Sequence, residues 1–142
     1  MRFEKFLKFP IRSHMEQFGF RVWYEVRFMG KTIDVACFKA PRTTVSVEAK
    51  VRKLDDAIYQ ASVYRLWSDY SYIAIPRHAS VTEENYNLLR EEGIGLLRIL
   101  GGRTPSVAEE VKPRKSKVLV TSRRRELIEV LLLLKRKGGV HA

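Results

Sequence analysis

Cysteine is almost missing from this 142-residue chain, and Cys37 stands alone. A single thiol excludes an intrachain disulfide framework and a cysteine-built zinc site. It lies in an apolar stretch, where a plain buried thiol is expected rather than a nucleophile. Histidine is scarce too: His14, His78 and His141 share no ligand spacing, so a histidine-rich metal site has no support. No apolar run approaches the ~20 residues of a membrane span. The N-terminal MRFEKFLKFP lacks the continuous apolar core of a signal peptide. The expectation is a cytoplasmic protein with no membrane segment. Acidic residues are also short, 16 against 27 Lys and Arg, which leaves a formal net charge of +11. That balance favours a polyanionic partner such as nucleic acid, with a merely soluble basic protein or an anionic-membrane binder as alternatives.

What is present has an order. Pro10 suits the first position of a helix and Gly19 the residue just past its end, with Met1–Phe9 as a short amphipathic turn before it. Ile11, Met15 and Phe18 form the stripe of that helix, and Glu16 points away from it. Arg21–Phe28 alternates, with Val22, Tyr24, Val26 and Phe28 on one face and Arg21, Trp23, Glu25 and Arg27 on the other. If Met29-Gly30 is a two-residue turn, Phe28 faces Lys31, Val26 meets Ile33, Tyr24 meets Val35 and Val22 meets Cys37. The same count sets Glu25 directly opposite Asp34, a repulsive pair that a cation would relieve; Arg21, Arg27 or Lys31 could do so instead.

Two strands, Ile33–Phe38 and Val45–Val51, follow one another across a loop turned by Pro41. On the second, Val45, Val47, Ala49 and Val51 form the apolar side, and Ser46, Glu48 and Lys50 the other. Three carboxylates (Glu25, Asp34, Glu48) and a lysine are thus expected to converge on one face of an antiparallel meander. The next helix, capped by Asp55 or Asp56 and running to about Trp67, has the inward stripe Ala57, Gln60, Ala61 and Tyr64. Gln60 is polar on a buried stripe and needs a partner, either the carboxylates or a stray carbonyl. Tyr70–Ile75 reads as a buried strand, Ser80-Val-Thr-Glu83 as a capping box opening a helix to about Glu92, and Leu96–Leu100 as a last short strand. A helix between two strands implies a parallel βαβ crossover.

The last third is different. Residues 1–100 carry 16 basic and 12 acidic side chains, residues 101–142 carry 11 and 4. Gly101–Lys117 has the composition of a mobile linker. Ser122 then caps a helix over Arg123 to about Lys137. Its leucines suit packing on the domain or on a second subunit, so a homodimer is one arrangement open to it. Arg114, Lys115, Lys117 and Arg123–Arg125 are the candidate phosphate contacts, with ordinary solvation of a charge run as the alternative. The expected organisation is a domain over 1–100, a basic linker over 101–120 and a basic, leucine-rich helix over 121–142.

As a set, Ile33-Asp34, Glu48-Ala49-Lys50 and Gln60 resemble the PD-(D/E)XK nuclease superfamily, the restriction-endonuclease-like fold that includes archaeal Holliday-junction resolvases. The resemblance spans roughly Pro10 to Leu100. Ile33 stands where the motif has proline, and Glu25 on the first strand replaces a glutamate that many members carry on the first helix. It implies an α/β fold, a mixed sheet in which a three-stranded antiparallel meander is followed by a βαβ-type crossover, flanked by helices. It also implies Mg²⁺, or Mn²⁺ in its place, on Asp34, Glu48 and the Ala49 carbonyl, with Glu25 in support and no small-molecule cofactor. Lys50 would activate water and offset phosphate charge, and Gln60 would position water or the lysine. The activity implied is metal-dependent endonucleolytic hydrolysis of DNA. The alternative is a catalytically weak or inactive DNA- or junction-binding protein on the same fold. A third reading makes the last helix an oligomerisation element and the charge a matter of solubility.

Overall fold

The computed structural model describes residues 2–50 and 52–136. Its elements run α1 (Arg2–Glu16), β1 (Arg21–Phe28), β2 (Lys31–Lys39), β3 (Thr43–Ala49), α2 (Leu54–Tyr64), β4 (Tyr70–Ile75), α3 (Glu83–Glu92), β5 (Gly95–Leu100), β6 (Ser106–Val111) and α4 (Thr121–Arg136). The six strands form one sheet in sequence order. β1, β2 and β3 pair antiparallel, β3 with β4 and β4 with β5 parallel, and β6 returns antiparallel on β5. The α/β class, the meander and the crossover are as the sequence implies. Val51, Lys137 and His141 lie outside the described residues.

Three apolar clusters hold the layers. Leu7, Ile11 and Met15 of α1 pack on Val35, Cys37, Val45, Val47 and Ala49, the α1 face of the sheet. On the other face α2 and α3 bury Ala57, Ile58, Ala61 and Leu89 against Ile73, Ile75 and Leu96. Beside them Leu127 and Leu131 of α4 pack with Tyr64, Trp67, Trp23 and Phe28. The last helix therefore packs on its own domain.

The register of the hairpin is the expected one, from Phe28↔Lys31 through Val26↔Ile33 and Tyr24↔Val35 to Val22↔Cys37. The single apolar face is not. Val22, Tyr24, Val35 and Cys37 belong with α1, whereas Val26, Phe28 and Ile33 belong with α2 and α4. Strict alternation forbids that change of side. It occurs at Glu25, whose backbone is left-handed (φ 52°), and the expected Glu25–Asp34 pair is the position missing from the paired register. The two carboxylates mark a twist in the ribbon, beyond which the tip faces the other layer.

Other boundaries move for identifiable reasons. α1 starts well before Pro10, because burying Leu7 in register with Ile11 and Met15 offsets the backbone hydrogen bond the proline cannot make. Phe18 falls beyond the helix and is 57% exposed. Asp55 and Asp56 lie inside the first turn of α2, where they suit the helix dipole. The cap is Lys53 in a left-handed conformation. Thr82, not Ser80, caps α3 by accepting from the Asn85 N–H. Residues 106–111, expected within a linker, are the edge strand β6. α4 opens at Thr121, ahead of the expected cap at Ser122.

Candidate active site

The site grows from the C-terminal end of β3. Glu48 and Ser46 alternate toward α2, and Glu48 is only 8% exposed. A carboxylate that deep needs donors. Tyr64, from the last turn of α2, donates its hydroxyl to Glu48 Oε1 at 2.8 Å and also lies 3.1 Å from the Thr32 carbonyl. Asp34 approaches from β2 at the twist, and its Oδ2 accepts the Ala49 N–H at 2.9 Å. Burial first, then the charge and hydrogen bond of Glu48 and the charge of Asp34, push the Tyr64 phenol far above its usual pKa. It stays protonated as a donor. Asp34 is thus bonded to a backbone amide and Glu48 to the Tyr64 phenol, and the charges of both act on that phenol.

Lys50 follows directly. Its N–H bonds the Ala74 carbonyl at 2.9 Å and extends the β3–β4 ladder. Its half-buried side chain lines a cleft of about 230 Å³ together with Arg52, Lys53 and Ser80. Gln60 is half-buried on α2, one turn before Tyr64.

Glu25 is carried elsewhere. The left-handed backbone turns its carboxylate to an ion pair with Lys8 of α1, a lysine only 7% exposed. The expected group of three carboxylates is thus not formed, Glu25 being paired with Lys8 of α1. Among the described residues no three His, Cys, Asp or Glu side chains form a metal-holding group. Two suffice for Mg²⁺, which keeps several waters and is commonly held through one or two carboxylates together with substrate phosphate. The donors here are hard oxygens, so the pair fits that ion.

The basic candidates divide. Arg114 donates to the Arg90 and Glu91 carbonyls and caps α3. Arg124 is paired at 2.6 Å with Asp69, which is 2% exposed, and so anchors α4. Arg123 pairs with Glu126 on the surface. Lys115, Lys117 and Arg125 are exposed. Burial raises the Cys37 thiol pKa well above its usual value, which removes it as a nucleophile. Tyr64 is the site residue that sequence reasoning passed over. Its signal was a hydroxyl ending a buried stripe, since a buried phenol takes a partner.

No family model matches the chain, and no curated protein matches it in sequence. Solved structures do. A protein of unknown function from Silicibacter pomeroyi superposes with a TM-score of 0.68 at 21% identity, covering 92% of this chain and 84% of that one. A repair endonuclease from Pyrococcus abyssi matches with a TM-score of 0.50 at 21% identity, over 68% of this chain and 45% of that one. SfsA of Pyrococcus furiosus, in complex with Ca²⁺, has a TM-score of 0.46 at 13% identity. The fold is one that a repair endonuclease also uses. No helix among the described residues is long and apolar enough to cross a membrane.

Proposed function

We propose that this protein is a Mg²⁺-dependent endonuclease of the PD-(D/E)XK type that hydrolyses DNA phosphodiester bonds. The observation that carries the reading is that the Asp34 carboxylate accepts the Ala49 N–H, one residue from Lys50, while Asp34 and Glu48 both act on the Tyr64 phenol. The repair-endonuclease fold supports it. Asp34, Glu48 and the Ala49 carbonyl would hold the ion, which when bound supplies Lewis-acid chemistry to a phosphate and its water. The protein's own groups do the rest. The Ala49 N–H fixes the Asp34 carboxylate, and the Tyr64 hydroxyl fixes Glu48. Lys50, with Arg52 and Lys53 in the same cleft, draws in the anionic backbone and offsets charge that grows on the attacked phosphate. Gln60 orients water from the helix side.

The depth of Glu48 and the diversion of Glu25 to Lys8 favour the second reading, a DNA-binding protein on this fold with a weak or idle site. One assay separates them. Labelled duplex, flap, four-way-junction and single-stranded DNA, with RNA alongside, are incubated in Mg²⁺, Mn²⁺ or EDTA with the wild type, Asp34→Ala and Lys50→Ala. Cleavage that needs the metal and disappears in both variants while binding persists is the expected result. Binding without cleavage on every substrate establishes the second reading.

A further inference from the structure

The face of the sheet opposite Glu48 and Tyr64 carries a groove of about 450 Å³ between the end of α1 and the end of β6. Its size falls within the roughly 300–1,000 Å³ of small-molecule sites. The lining is aromatic. Phe18, 57% exposed, stands edge-on to His14 with ring centres 5.3 Å apart, and Tyr70 and Tyr72 contribute rings from β4. Tyr72 is seated firmly. A Cβ on Gly95 would lie 2.7 Å from its ring, so the glycine is what lets the ring lie across β5. Its hydroxyl donates to Glu109 at 3.2 Å.

The rim is cationic. Lys39, whose Nζ lies 5.5 Å from the Phe20 ring centre, and Lys112 border the groove against the single carboxylate of Glu109. A neutral apolar ligand has no use for the lysines, and a bare phosphate has none for the rings. A planar base joined to a phosphate uses both.

We propose that this groove binds one unpaired nucleotide of a single-stranded nucleic acid, its base stacked on Phe18 and Tyr70 and its phosphate met by Lys39 and Lys112. The site does not depend on the hydrolytic reading. Its test is the anisotropy of a labelled oligothymidylate of about ten nucleotides, measured in EDTA so that nothing is cut. An abasic strand of equal length and free thymidine monophosphate serve as controls. Phe18→Ala should weaken the oligothymidylate about tenfold, as loss of one base stack does, and leave the abasic strand unchanged. Phe18→Tyr should bind as the wild type does, and Lys112→Gln should weaken both strands. Equal losses on the abasic and base-bearing strands, no loss in Phe18→Ala, or a tyrosine variant as weak as the alanine one would overturn the proposal. So would a free nucleotide that competes as well as the strand.

Discussion

Tyr64 joins stability and the candidate chemistry in one side chain. Its hydroxyl reaches both Glu48 and the Thr32 carbonyl, so it ties α2 to β3 and to the tip of the hairpin. Tyr64→Phe removes a donor from a buried carboxylate at almost constant volume. It should cost about 1–3 kcal/mol in urea unfolding and lower metal-dependent cleavage by letting Glu48 turn. Arg98 plays a comparable part at the far side, bonding Glu110 and the carbonyls of Arg77 and Ala79. The hydrogen bond to Arg98 holds the Glu110 carboxyl below its usual pKa against opposing burial. The stabilisation is therefore present above the unfolded glutamate value and is lost as pH falls through the lower folded one. Stability measured against pH should show a shallower acid limb in Glu110→Gln, with a loss on the order of 1 kcal/mol at neutral pH.

At the scale of elements, α4 is held by Leu127 and Leu131 and by the buried Arg124–Asp69 pair. Arg124→Ala leaves Asp69 charged and buried, although the Thr44 N–H still bonds it at 2.8 Å. The expected cost is about 3 kcal/mol, more than the near-zero change expected for the surface pair partner Arg123→Ala, both read from thermal melts. The elements also show what was legible in the chain. The hairpin register could be counted because a two-residue turn fixes every later pair. The twist at Glu25 could not, since a left-handed non-glycine residue leaves no mark in a pattern of alternating polarity. β6 was hidden because an edge strand with one buried position in six has no apolar face to reveal it among glycine, proline and lysine. Trp23, placed by alternation with arginines and a glutamate, is 1% exposed because α4, distant in sequence, covers that side. Asp34, Glu48 and Lys50 were legible as a pattern; the structure ties the first two to Tyr64 and Ala49 and sets Lys50 in a cleft whose described lining includes neither carboxylate. The loss of Glu25 from their group and the gain of Tyr64 were consequences of packing.

For the whole molecule the governing quantity is the net charge of +11. DNA affinity should fall steeply with salt, and removing a cation that touches phosphate should lower the log–log slope by about 0.9. Arg52→Gln, in the cleft beside Lys50, should show that change in a salt titration, whereas Arg114→Gln should not, because its guanidinium is spent on the carbonyls at the end of α3. The position of α4 has one more consequence. The helix that closes over Trp23, Phe28 and Trp67 is drawn from residues 121–136, so the β1–β2 hairpin is made well before its roof. Until Leu127 and Leu131 are made, Trp23 lacks the cover that α4 gives it, an oily strip for a chaperone to guard.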